Sequence, residues 1–318
     1  MVDGRAGKAA ARGWDVARSI YRSPEGQRVV EGVYNTAVAS LPAAVEERWV
    51  PTRFGTTHLL VTGPADAPPL VVLSGGNFPG PMSLRWFAPS LRRHRVYAPD
   101  TVGHPGKSAQ TRLSPRDDSY GRWLVDVLDA CELDRPAMLG PSFGAGIVLA
   151  TAATAPHRLD RAALVMPAGL VKPAMTSMLS RLAGPMVAYR LRPSRPRLVR
   201  AVRPLFTDPR IDDDVLDAVG AVFDHVRLAT GMPRPRTAEE LAALDAPVLV
   251  IAAEHDVLFP GAAVVARARA VLPNLVGAEL LPGSGHIPSA SAFAGLRARL
   301  AAFFDACEGH APSGGNGA

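Results

Sequence analysis

Four short, almost wholly apolar runs, "PLVVLSGG", "PAMLG", "RAALVMP" and "PVLVIAAEHD", are spread between positions 69 and 256. Runs this short, without polar alternation, suit strands buried on both faces, as in parallel sheets covered by helices. Segments of helical character separate them. "MSLRWFAPSLRR" follows the first run. "DSYGRWLVDVLDACEL", with Trp123, Val127 and Leu128 on one side, precedes the second, and "FGAGIVLATAATA" follows it. This alternation places the chain in the α/β class, with a mostly parallel twisted sheet and helices on both faces.

Upstream, "PEGQRVVEGVYNTAVASL" spaces Val29, Val33, Ala37 and Leu41 as an amphipathic helix. "VEERWVPT" and "GTTHLLVTG" form an antiparallel pair joined near Gly55. The rhythm breaks between 169 and 241, where prolines punctuate short helical stretches, and resumes at "PVLVIAAEHD". The expected organisation is an N-terminal helical extension over 1–44, a core over 45–168 and 242–308, a helical lid over 169–241, and a disordered tail over 309–318. Ligands of open parallel sheets bind at the strands' C-terminal edge, and the insertion is expected to cover that edge.

Composition narrows the function classes. Cys131 and Cys307 are the only cysteines, too few for a disulfide framework or a cysteine-based zinc site, and a reducing, cytoplasmic setting follows. No run reaches the roughly 18 continuous apolar residues of a membrane span. The net charge of +6 is almost all arginine, because lysine occurs only at 8, 107 and 172. Arginines crowd the acid-free stretch between Lys172 and Thr207, yet only Tyr189 and Phe206 lie there as stacking aromatics. Nucleic acid is therefore not the expected partner; the positive charge instead suggests attraction of an anionic substrate. No His, Asp and Cys cluster has metal-ligand spacing, and no phosphate-cradling loop occurs, so neither metal nor cofactor is expected.

"MLGPSFGAG" sets Ser142 between Gly140 and Gly144, after a strand run and before a helical one. Glycines at both flanks permit a turn sharp enough to present the hydroxyl. Asp256 follows "PVLVIAA", within "EHDVLFP", and His286 follows "AELLP", within "GSGHIP". In a parallel sheet these three loops open onto one edge. A serine hydroxyl is a weak nucleophile until an imidazole takes its proton, and a carboxylate on the other ring nitrogen fixes the tautomer. Ser142, His286 and Asp256 are thus the expected nucleophile, base and acid. Glu254 is the rival acid, otherwise expected in solvent or paired with a lid arginine. The Phe143 N–H and that of Gly76, or else Asn77, are the expected oxyanion donors. Asp100 and His104 are read as turn-stabilising, and Met175, Met178 and Met186 as packing or an adaptable apolar wall.

On these segments the chain resembles the α/β-hydrolase family, in its lidded serine-esterase form. "VVLSGGNFPG" is similar to the family's oxyanion loop and "VYAPDTVGHPGKS" to its strand-four segment. "LGPSFGAG" is similar to its nucleophile elbow, and "VLVIAAEHDVLFP" and "GSGHIP" to its acid and histidine loops. The likeness spans roughly 45–306, departing at Ser74, where relatives often carry histidine, and at Pro141. It implies an α/β-hydrolase fold and hydrolysis of a small or medium carboxylic ester through an acyl-enzyme. The same triad would serve acyl transfer or thioester, lactone, amide or perhydrolysis chemistry. A ligand receptor without turnover is the alternative of another class. Oligomeric state is not legible.

Overall fold

The computed structural model describes residues 19–306; the expected tail, Cys307 and the first 18 residues of the N-terminal extension lie outside them. In chain order the elements begin with α1 (Pro24–Ala39), β1 (Val45–Val50), β2 (Thr57–Thr62), β3 (Pro69–Val72), α2 (Gly80–Phe87), β4 (Arg95–Pro99) and α3 (Ser119–Ala130). Next come β5 (Ala137–Pro141), α4 (Phe143–Thr154), β6 (Ala162–Val165), α5 (Met175–Met178), α6 (Gly184–Leu191), α7 (Arg195–Val202) and α8 (Asp213–His225). The chain closes with α9 (Ala238–Leu241), β7 (Val248–Ala253), α10 (Gly261–Val271), β8 (Leu275–Leu281) and α11 (Ala290–Asp305).

The strands make one sheet in the order β1-β2-β4-β3-β5-β6-β7-β8. β1 and β2 pair antiparallel, as does β2 with β4, and every other pairing is parallel. The apolar runs form its centre because both their faces are covered. Val248 and Val250 enter the layer that contains Trp123, Val148 and Val264, while Leu249 and Ile251 enter the opposite layer with Tyr34, Phe87 and Leu300. Helices α3, α4 and α10 therefore cover one face, and α1, α2 and α11 the other. α4 is buried on all sides from Phe143 to Ala152, which explains its alanine and glycine content.

The insertion between β6 and β7 has a small core of its own, built on Tyr189, Leu198, Val202 and Leu216. Ser23 caps α1 by accepting the Gly26 N–H, with Pro24 in the first turn. α1 packs between the insertion and the sheet: Ala37, Met82, Val215 and Ala218 meet in one cluster, and Ile20, Tyr21, Val30 and Val222 in another. Arg227 donates to the Ser19 and Tyr21 carbonyls, and the Tyr21 hydroxyl donates to the Gly106 carbonyl. The N-terminal segment thus straps the insertion to the strand-four loop. In α9, Thr237 and Glu240 form a capping box.

A polar contact locks α3 to the sheet: the fully buried Trp123 indole N–H donates to Thr57 Oγ1 at 2.8 Å. Thr57→Val keeps the shape and orphans that donor. Urea unfolding is expected to show a loss of about 1–3 kcal/mol.

Candidate active site

Ser142 sits at φ 49°, ψ −116°, a left-handed conformation rare for a residue with a side chain. The surroundings hold it there. Its N–H donates to the Val165 carbonyl at 2.8 Å, and its carbonyl accepts from the Ala145 and Ala168 N–H groups, each at 3.1 Å. A Cβ on Gly140 would lie 2.6 Å from the Ala145 nitrogen, and one on Gly144 would lie 2.8 Å from Leu73 Cβ. Neither flank can carry a side chain while α4 starts this close to β5 and β3.

His286 Nε2 lies 3.0 Å from Ser142 Oγ, and its Nδ1 lies 2.8 Å from Asp256 Oδ2. Asp256 is buried, and its Oδ1 accepts the Leu258 and Phe259 N–H groups at 2.8 and 3.2 Å. With both oxygens engaged, the carboxylate has a fixed orientation. An acceptor at Nδ1 places the ring proton there and leaves Nε2 free to accept from the serine hydroxyl. Glu254, the rival acid, does not pair with an arginine of the insertion. It accepts the Gly283 N–H at 2.7 Å and approaches His255, because its loop turns it away from the cavity.

The insertion contributes directly to the histidine loop. Phe206 bridges Ile287 as a short parallel pair. Thr207 spans the imidazole's own residue: its N–H and hydroxyl donate to the Ile287 carbonyl at 3.0 and 2.9 Å, and its Oγ1 accepts the Gly285 N–H at 2.8 Å. Both neighbours of His286 are therefore tied to one residue of the insertion. Nothing in the spacing of the sequence pairs Thr207 with "GSGHIP".

Of the two proposed second oxyanion donors, Asn77 is committed elsewhere. Its N–H donates to His104 Nδ1 at 3.1 Å, and its side-chain amide both donates to and accepts from Ala229 at 2.8 Å. Among the described residues, the Gly76 and Phe143 N–H groups donate to no protein acceptor. A Cβ on Gly76 would lie 3.2 Å from Phe143 Cβ, so the two residues pack directly against each other.

His104 does more than stabilise its turn. Accepting at Nδ1 makes Nε2 the protonated nitrogen, which donates to the Tyr120 hydroxyl at 3.2 Å. Its ring lies 4.7 Å from that of Phe143. One imidazole thus touches the Gly76–Asn77 loop and the residue after Ser142. Burial, reinforced by Arg112, pushes its pKa down to about 3. Asp100 accepts the Lys107 N–H, as a turn residue would, and also binds the fully buried His58, which reaches Glu47 through its other nitrogen. This three-element polar contact was invisible in the sequence.

Beside Ser142 lies a cavity of about 250 Å³. Its walls include Phe78, Trp86, Phe206, Phe223, Phe293 and Met232, and among the described residues no Asp, Glu, Lys or Arg borders it. The expected attraction of an anionic substrate by the insertion's arginines therefore has no counterpart in the pocket. Arg195 pairs with Asp213 and Asp217, Arg203 donates to the Phe206 carbonyl, Arg234 and the buried Arg236 pair with Glu240, and Arg181, Arg190, Arg192 and Arg200 are exposed. The three methionines do not line it either: Met178 and Met186 pack inward, and Met175 is exposed. Among the described residues no group of His, Cys, Asp and Glu could hold a metal ion.

A sequence model described as the alpha/beta hydrolase fold matches residues 68–291. The "Uncharacterized carboxylesterase nap" of Bacillus subtilis (strain 168) is 28% identical over 276 residues, 86% of this chain and 91% of that protein. "Carboxylesterase YbfK" of the same organism is 26% identical, over 80% of this chain and 86% of its own. The crystal structure of naproxen esterase (carboxylesterase NP) from Bacillus subtilis superposes with a TM-score of 0.77 at 24% identity, covering 89% of this chain and 99% of that one.

The depressed His104 value carries a pH signature. The folded value lies below the ordinary 6.5, so as pH falls the unfolded chain takes up this proton first. Stability is lost from about pH 6.5 downward until the folded value is reached, at up to about 1.4 kcal/mol per pH unit. In denaturation series across acid pH, His104→Asn should show a shallower decline than the wild type.

Proposed function

The chain belongs to the α/β-hydrolase family, and we propose that it hydrolyses uncharged carboxylic esters with a small or medium apolar acyl group through an acyl-serine intermediate. The observation that carries this is the unbroken contact from Ser142 Oγ through His286 to Asp256, beside a cavity with no charged wall among the described residues. The carboxylesterase names of its relatives point to the same bond.

In this reading Ser142 Oγ attacks the ester carbonyl as His286 Nε2 takes its proton. The carbonyl oxygen becomes an oxyanion received by the Gly76 and Phe143 N–H groups, which have no other partner among the described residues. The tetrahedral centre then collapses, breaking the bond to the alcohol, which leaves with the proton from His286. Water attacks the acyl-serine with His286 as base, and the acid departs as Ser142 recovers its proton. Asp256 stays ionised and stabilises the transient imidazolium. The insertion acts as a lid whose aromatic side chains shape the acyl site, and Thr207 keeps the imidazole aligned.

A fluorophosphonate probe should label the wild type and fail to label Ser142→Ala; a folded wild type that resists labelling contradicts the reading. Asp256→Asn should lower kcat by about 10⁴-fold, the order reported for loss of the orienting carboxylate in such triads. Thr207→Val should lower kcat by about tenfold or more with KM nearly unchanged, because a 1 Å misplacement is enough to slow catalysis strongly. Equal losses in kcat and in folding stability, without that split, would reduce Thr207 to a structural residue.

A further inference from the structure

We propose that the outer face of the helical insertion docks on an anionic phospholipid membrane. α5 and α6 are joined through a π turn at Leu179–Ala183 into one continuous helix over 175–191. Its inner positions are used: Met178 and Leu182 pack against the main core, and Met186 and Tyr189 enter the insertion's own core. Its outer positions, Met175, Leu179, Ala183, Val187 and Leu191, are all exposed, Leu191 at 82%.

In a plain α-helix a series spaced by four residues drifts about 40° per step, or roughly 160° over this length. The π turn absorbs one extra residue and cancels about 100° of that drift, so the apolar series stays on one side. It lies just before Pro185, which has no N–H to continue the α-helical ladder. An apolar stripe held outward over this length is unlike scattered surface hydrophobes.

Charge identifies the occupant. Lys172, Arg181, Arg190 and Arg192 are exposed on the same segment and make no side-chain ion pair among the described residues. No acidic residue occurs between Lys172 and Thr207. The acids of α8 that approach it are already engaged, Asp213 and Asp217 with Arg195, and Asp224 with the Tyr189 hydroxyl. A second copy meeting this face about a two-fold axis would set arginine against arginine with no acid to match. An anionic lipid surface supplies both complements, phosphate for the guanidinium groups and hydrocarbon for the stripe. Val202, Phe206 and Phe223 of the same insertion line the cavity beside Ser142, so docking would hold that cavity close to lipid-dissolved esters.

Co-sedimentation of the full chain with POPC/POPG (7:3) vesicles, and with POPC alone, tests this. Binding is expected to the anionic vesicles only and should weaken as salt rises. Arg181→Gln, Arg190→Gln and Arg192→Gln should each weaken it about fivefold. Leu179→Asp with Val187→Asp should abolish it while leaving turnover of a water-soluble short-chain ester unchanged. Ser142→Ala should bind as the wild type does, which keeps this inference separate from the catalytic one. Absence of binding to POPG vesicles, or equal binding to both compositions, would overturn it. So would a wild-type dimer in analytical ultracentrifugation that the Leu179/Val187 pair dissociates, since the stripe would then be an interface between copies.

Discussion

The compressed turn at Ser142 is the constraint on which the rest of the molecule depends. A residue with a side chain held at positive φ is strained by about 1–3 kcal/mol, and only an over-determined environment keeps it there. That environment is the junction of β5, β6 and α4, where Ser142 exchanges backbone hydrogen bonds with Val165, Ala145 and Ala168. Close approach of α4 to β3 is possible because Gly144 has no side chain to meet Leu73. The same approach packs Phe143 against Gly76, so the proposed nucleophile and the proposed oxyanion donors come from one packing solution.

Around this rigid turn, the other parts are held from outside the sheet. His286 lies on a loop whose two flanking peptides bond to Thr207, and the Gly76–Asn77 loop is pinned by His104 on one side and Ala229 on the other. Thr207 and Ala229 both belong to the insertion. That insertion is in turn strapped by α1, whose segment reaches the strand-four loop through Tyr21. The insertion is thus a structural member of the site as well as part of the cavity wall. Removing it would leave the histidine loop without two of its backbone partners.

Much of this was legible in the sequence, and the divide has a physical origin. Apolar runs bounded by turn residues encode buried parallel strands directly, and loops following such strands must share one edge; Ser142, Asp256 and His286 could therefore be placed together before any coordinates. That the Asn77 amide is engaged could not be read, because it depends on which amide His104 captures across 27 residues of chain. The His58–Asp100 contact needs β2 and β4 to be neighbours, a pairing that skips β3 in the chain order. The insertion's arginines misled for a related reason. Composition counts charge but does not say which side of a helix it occupies, and here none of the insertion's arginines borders the cavity, whose wall is apolar.

The most direct measurement is a crystal structure of the protein after reaction with a p-nitrophenyl alkylphosphonate, whose adduct mimics the tetrahedral intermediate. Phosphorus should be bonded to Ser142 Oγ, with one oxygen about 3 Å from both the Gly76 and Phe143 nitrogens and the alkyl group among Phe78, Trp86 and Phe206. Phosphorus on another residue, or an adduct on Ser142 whose oxygen faces away from those two amides, would contradict the site described above.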